Sequence, residues 1–255
     1  MKTSSKLLLS IARQLPRGYA RLIRLAARND PALHDFPIKL DRFPRELRAD
    51  LRENVFIPML LKGEIPHQRG LDLFAMRHVT PGDTVFDIGA NVGYTTALFS
   101  HLCGPSGQVV SFEPSRRTFE LLKKSMAPFE NVALKNMAVA SMSEEREFFT
   151  PDMSDLASFE PREGAHKETV TTTTLDDMCE AYGTPALIKV DVEGFEVEVF
   201  KGGQALFASD TMPMIVFEAC DTGHLSACTD ILNALSGGHL SFGRLRQDGA
   251  LPPCR

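Results

Sequence analysis

Asp87-Ile88-Gly89-Ala90-Asn91-Val92-Gly93 is the stretch whose reading decides the fold. The apolar run 84–88 leads into it, and the helical pattern 94–102 leads out. A short apolar strand, a glycine-rich turn and a helix in that order form the first unit of an α/β fold. A dinucleotide-binding turn would read G-x-G-x-x-G, whose middle glycine lets backbone amides close on a pyrophosphate. Here Ala90 and Asn91 occupy the middle of the turn, and Asp87 stands two residues before it.

Working outward, strands and helices alternate. Runs at 108–112, 132–136, 187–190 and 214–217 read as strands, and 115–127, 195–206 and 224–235 have the helical period. The stretches 146–150 and 168–174 read as a strand pair, the threonine run of the latter suiting a strand. Segments 240–245 and 250–251, joined across Asp248-Gly249, read as a closing hairpin, and 70–78 reads as a helix ahead of the first strand. Such alternation predicts a mostly parallel sheet with helices on both faces. At 255 residues the chain has room for one such domain and a small extension. We place the extension at residues 1–65 and the α/β domain at 66–255, because prolines at 31, 37, 44, 58 and 66 interrupt the text before it.

In open α/β sheets ligands bind beyond the carboxyl ends of the strands. Four predicted strands end on or beside an acid, Asp87, Glu113, Asp191 and Glu218. Carboxylates there are costly unless paired, which points to a ligand rich in hydroxyls, amines or positive charge. S-adenosylmethionine has an ammonium, a carboxylate and a ribose, and no phosphate. Gly89 and Gly93 allow close backbone approach, helix-terminal amides receive the carboxylate, and Asp87 is the candidate for the ammonium. Glu113 is the candidate for the ribose hydroxyls. Asn91 shares the turn, and Asn136 either meets the adenine or caps a turn. Asp191 and Glu193, two apart where strand becomes loop, and Glu218 at the neighbouring strand end are the candidate general bases. Asp191 is also a candidate for the donor. His166 is a fourth base candidate, with a solvated loop histidine as its plainer reading. Lys189 reads as an ion-pair partner or strand cap. The three acids together form the type of oxygen set that holds Mg²⁺ or Ca²⁺, but the donor and acceptor need them, so no metal is expected.

The text resembles the FkbM-type family of class I methyltransferases. The resemblance is carried by residues 85–94, Phe112-Glu113-Pro114, Asn136 with Ala138 and Val139, Thr174-Leu175-Asp176-Asp177, 188–196, Lys201-Gly202 and Val216-Phe217-Glu218. It covers about residues 66–250 and implies a Rossmann-like, seven-stranded sheet. It also implies methyl transfer from S-adenosylmethionine, usually to a hydroxyl of a sugar, glycan or secondary metabolite. Tyr94, Pro114 and Ala138 join the donor-binding residues on the same ground. Two other classes compete: an NAD-dependent oxidoreductase, against which the missing middle glycine and the lack of a Tyr-x-x-x-Lys pair count, and a catalytically silent binding domain. The acceptor is expected to be a small molecule or glycan, with the loop 151–167 over the crevice setting specificity.

Charge adds a further expectation. Residues 1–30 carry seven Lys or Arg and one acid, a net of +6, so the rest of the chain holds −11 of the total −5. An acidic body argues against duplex nucleic acid as substrate. On a helical wheel Leu7, Leu8, Ile11, Ala12, Leu15, Tyr19, Leu22, Ile23 and Ala26 share one arc, and the seven cations of residues 2–28 share another. Pro16 and Gly18 make two short helices as plausible as one. The segment reads as a helix packed on the domain, as a contact for anionic lipid or an acidic partner, or as a transit peptide. Five cysteines without a C-x-x-C pair suggest a reducing cytoplasm, with peripheral membrane contact through residues 2–28.

Overall fold

A computed structural model describes residues 1–15, 17–40, 46–150, 159 and 165–250. The N-terminal part begins with helices α1 (Thr3–Ala12) and α2 (Tyr19–Asn29), which pack on each other. Strands β1 (Phe36–Lys39) and β2 (Glu46–Ala49) form an antiparallel pair, and helix α3 (Phe56–Lys62) follows. Helix α4 (Arg69–His78) leads into the core strands β3 (Thr84–Ile88) and β4 (Gln108–Phe112), with helix α5 (Tyr94–Cys103) between them. Helix α6 (Arg116–Met126) connects β4 to β5 (Val132–Lys135). A separate three-stranded sheet holds β6 (Ala138–Val139), β7 (Glu145–Thr150) and β8 (His166–Thr173) in the order β6-β8-β7. Helix α7 (Leu175–Tyr182), strand β9 (Leu187–Val190), helices α8 (Glu196–Lys201) and α9 (Gln204–Phe207), strand β10 (Met214–Phe217) and helix α10 (Thr222–Leu235) complete the chain.

The central sheet is parallel throughout, in the order β10-β9-β3-β4-β5. Alternation along its strands explains the layers. Val85, Val109 and Leu187 face a core shared with Phe74, Ala97, Phe99 and Leu122 of α4, α5 and α6. Phe86, Val110 and Ile188 face the opposite core, with Phe200, Phe207 and Leu232 of α8, α9 and α10. Period-2 strands between two amphipathic helical layers give the doubly covered α/β architecture. The order reverses between β3 and β9, so the crevice expected of such sheets opens at their carboxyl ends.

Three expectations differ. The central sheet has five strands among the described residues, not seven. The expected pair at 146–150 and 168–174 builds the separate small sheet, and the expected closing hairpin forms no strand ladder among the described residues. Leu240 and Phe242 pack onto the second core, and Arg246 N donates to Ala250 O (3.0 Å) in a bare turn. Residue 251 of that hairpin lies outside the described residues, as does most of the loop 151–167. The helix expected over 195–206 is broken into α8 and α9 by Gly202-Gly203. A Cβ at Gly202 would stand 2.1 Å from the Ala140 carbonyl oxygen, so the glycine is what lets this turn pass β6.

The N-terminal segment forms two helices. Ile23, Ala26 and Ala27 of α2 are buried against the body, whereas Leu7 (61%), Ile11 (41%) and Leu15 (38%) remain exposed. The stretch 30–65 is more regular than its prolines suggest. Pro37 is accommodated in a two-stranded ribbon opposite Arg48, and Pro58 sits in the first turn of α3, where a missing N–H costs nothing. Buried Asp50 fixes this unit to α6, accepting hydrogen bonds from Arg52 (2.7 Å) and from Arg117. No helix among the described residues is long and apolar enough to cross a membrane.

Candidate active site

The turn after β3 and the end of β9 are built into each other. Gly89 has φ +78°, and a Cβ there would lie 1.9 Å from the Asp191 carbonyl oxygen. Lys189 Nζ donates to Gly89 O (2.6 Å) and stands 3.3 Å from Asp87 Oδ1 and 3.5 Å from Asp191 Oδ2. Burial works against the Lys189 charge, but the two carboxylates outweigh it and hold the ammonium above its ordinary range. Lys189 is therefore a fixed cation that ties two strand ends together, not a base.

Strand register explains why those groups meet. Asp87 lies opposite both Ser111 and Lys189, one step beyond the apolar row Val85, Val109 and Leu187 on the same face. The Asp87 carboxylate accepts from Thr95 Oγ1 (2.8 Å) and Thr96 Oγ1 (2.6 Å) of α5. It is wholly buried and outside the cleft lining, so it supports the turn from below.

Above the turn lies a cleft of about 770 Å³, within the usual range for small-ligand sites. One part of its wall comprises Gly89 to Val92, Tyr94, Glu113, Pro114 and Met137 to Val139. Glu113 takes Asn91 N on one oxygen and Ser115 N on the other, both at 3.0 Å, which leaves lone pairs on each. Burial pushes the Glu113 carboxyl up to about 7 despite these two N–H donors. Asn91 Oδ1 is buried with no hydrogen-bond partner. The N-terminus of α5 has no side-chain cap, so its first amides are not taken by one. The cradle thus offers acceptors to hydroxyls and an ammonium, and backbone donors to a carboxylate, which fits S-adenosylmethionine. Tyr94 lines the cleft and donates its hydroxyl to buried Asp72 (2.9 Å). Asn136 lies outside the cleft lining and donates to Glu113 O (2.9 Å) and Pro114 O (3.0 Å), holding the acid's backbone in place. Gly93 sits beneath, where a Cβ would meet Leu122 and Met126 at 2.8 Å.

The other part of the wall gathers Asp191, Glu193 and Glu218 with Lys189. Burial and the Asp191 charge raise the Glu218 carboxyl above its ordinary range. Glu193 (φ 54°) and Asn91 (φ 51°) are the non-glycine residues with positive φ among those described, and both line this cleft. Backbone strain of this kind collects at binding sites. His166 begins β8, exposed and outside the cleft lining. Among the described residues no three His, Cys, Asp or Glu side chains are grouped so as to hold a metal ion.

Several lining residues are not among the candidate site residues that the sequence offers: His67 and Gln68 from the segment before α4, and Arg146, Phe148, Phe159, Phe195 and Glu198. Phe195 lies within the motif 188–196 and Glu198 just beyond it; the rest are placed by tertiary structure from segments that show no chemical pattern of their own.

A model of the FkbM methyltransferase domain matches residues 87–239. The 31-O-demethyl-FK506 methyltransferase FkbM of Streptomyces tacrolimicus is 33% identical over 106 residues, 40% of this chain and 40% of that protein. The hexuronic acid methyltransferase AglP of Haloferax volcanii is 30% identical over 134 residues, 47% of this chain and 49% of that one. The 2-O-methyltransferase NoeI of Sinorhizobium fredii is 26% identical over 143 residues, 49% and 58%. The matches thus span about half the length of these relatives.

Proposed function

The chain belongs to the FkbM methyltransferase family, and from that premise we propose that it transfers a methyl group from S-adenosylmethionine to a hydroxyl oxygen of a sugar, glycan or other small molecule. One observation carries this reading: the Gly89 turn, Glu113 and the acids at the ends of β9 and β10 share a single cleft at the reversal of strand order. The relatives are named as methyltransferases, one of them for a hexuronic acid and one as a 2-O-methyltransferase.

When bound, the donor supplies a methyl carbon already activated by a sulfonium, so the protein's work is positioning and proton removal. Glu113 accepts the ribose hydroxyls, and the α5 amides with the turn around Asn91 hold the amino-acid end. Asp87 and Lys189 keep that turn against β9. Tyr94, Pro114 and Ala138 border the donor. Asp191, 3.5 Å from Lys189 Nζ, faces the donor's positive charge. Glu218 is the general base: its raised carboxyl lies nearer neutrality than an ordinary glutamate, which favours proton acceptance. Glu193, held in a strained loop, orients the acceptor.

Two measurements test this. Calorimetry should show binding of S-adenosylhomocysteine; binding of NAD alone would overturn the reading. Glu218→Gln should lower kcat by about 10²-fold or more while leaving S-adenosylhomocysteine affinity unchanged. Undiminished turnover in that variant moves the base to Asp191 or Glu193.

A second reading concerns α1 and α2. We propose that this basic helical hairpin rests on an anionic membrane surface, because Leu7, Ile11 and Leu15 stay exposed in a segment of net +6. The intact chain should co-sediment with phosphatidylglycerol vesicles at low salt and release at high salt. Failure to sediment, or equal binding to phosphatidylcholine vesicles, contradicts it.

A further inference from the structure

The cleft has a cation that the proposed transfer leaves unused. Arg146 projects from β7, two residues before Phe148 and on the same face of that strand, and both line the cleft. Its guanidinium carbon lies 4.8 Å from the centre of the Phe159 ring and 5.3 Å from that of Phe195. Those two rings pack at 4.4 Å, and Phe148 meets Phe159 edge to face at 5.0 Å. Aromatic faces hold a guanidinium by cation–π attraction without consuming its N–H donors.

The nearby acids do not consume them either. Glu198 accepts from Lys201 Nζ (2.6 Å) and Ser141 Oγ (2.7 Å), and these bonds, with the nearby charges of Lys201 and Arg146, hold its carboxyl below its ordinary range. Glu144 approaches Arg146 Nε only to 3.7 Å, with both side chains about a third or more exposed, a contact of small worth. Arg146 therefore presents a planar donor fork on the small sheet, while Asp191, Glu193 and Glu218 line the same cleft from the ends of β9 and β10.

We infer that Arg146 binds a carboxylate carried by the methyl acceptor, so that the acceptor is an acidic hydroxyl compound of the sugar-acid class. The inference rests on the proposed methyl transfer. A single guanidinium fork matches a planar carboxylate with two parallel hydrogen bonds, whereas a phosphate dianion calls for more positive charge than this wall supplies. The polarity also orients the acceptor. Its carboxylate is repelled by the acids and drawn to Arg146, which turns the hydroxyl end toward Glu218. Phe148, Phe159 and Phe195 give the apolar face of a sugar ring a surface beside the fork.

The test follows the charge of the product, so the acceptor need not be known. Extracts of the source cells, incubated with the full chain and methyl-labelled donor, should yield labelled product that is retained on an anion exchanger at neutral pH. Carbodiimide-driven amidation, which neutralises carboxylates but leaves phosphodiesters, sulfate esters and the phosphoramidates formed from phosphate monoesters negatively charged, should abolish that retention. Label that passes through, or retention that survives amidation, overturns the carboxylate site and leaves methyl transfer standing. No labelled product overturns methyl transfer itself and this inference with it. Arg146→Met should lower transfer to the retained product by about tenfold to a hundredfold while S-adenosylhomocysteine affinity stays within about twofold, with Arg146→Lys recovering part of the loss. Full transfer by the Met variant also overturns the inference.

Discussion

At the scale of single residues, Glu113 carries the sharpest consequence of burial. Desolvation pushes it up to about 7 from an ordinary value of 4.5, although Ser115 N and Asn91 N favour the carboxylate. With the folded value raised, the protonated carboxyl is the one the free protein favours. That contribution to stability is present below 4.5 and is lost as pH rises through about 7. Ligand binding has the opposite sign. Two ribose hydroxyls donate to the ionised form, so binding below pH 7 must expel a proton from Glu113. The affinity for S-adenosylhomocysteine should therefore fall as pH drops below 7, by up to about tenfold per unit. Glu113→Gln should bind more weakly at pH 8 and show a flat profile. Calorimetry between pH 5.5 and 8.5 checks this, and a flat profile in the unmodified protein would exclude Glu113 as the ribose partner.

At the scale of elements, legibility followed how local each signal was. Strands β3, β4, β9 and β10 stand where their apolar runs place them, since a parallel strand buried on both faces announces itself without any partner. The turn at Gly89 was equally plain, and the structure adds the reason for its first glycine, the Asp191 carbonyl at 1.9 Å from a would-be Cβ. Strands β1 and β2 were missed because each is four residues long and the first contains Pro37. Their pairing is a tertiary fact. The helix break at Gly202-Gly203 likewise depends on Ala140, far away in sequence. For the site, the acids at strand ends could be read because topology brings such ends together. The inward turn of Asp87 could not, since it depends on register: Lys189 and Ser111 as cross-strand neighbours, with Thr95 and Thr96 closing over from α5. Arg146 stayed invisible for the same reason, as the two rings that hold it come from two other segments of the chain.

At the scale of the whole molecule, the extension and the α/β body share one interior. A single apolar cluster runs from Leu9 and Ile23 through Leu33, Ile38, Leu47 and Leu51 to Phe99, Leu122 and Leu187. It crosses the boundary at residues 65 and 66 without interruption. Val55, Phe56 and Ile65 of the extension also form part of the cleft wall. We therefore propose that residues 1–65 are an extension of the methyltransferase domain and not a unit that can be removed from it. Leu33, Ile38, Leu47, Leu51, Phe56, Ile57 and Met59 are each at most 2% exposed. Burying such a side chain contributes about 1.5–3 kcal/mol, so these residues together rival the 5–15 kcal/mol by which an ordinary domain is stable. Their loss would also leave the apolar faces of α5 and α6 open to water. The full chain should unfold in one thermal transition, its midpoint raised by S-adenosylhomocysteine through mass action. A chain of residues 66–255 alone should lack a cooperative transition and bind a hydrophobic dye, while far-ultraviolet dichroism retains part of its signal. A sharp transition in that shorter chain, with ligand affinity equal to that of the full chain, would show that the body folds and binds without its extension.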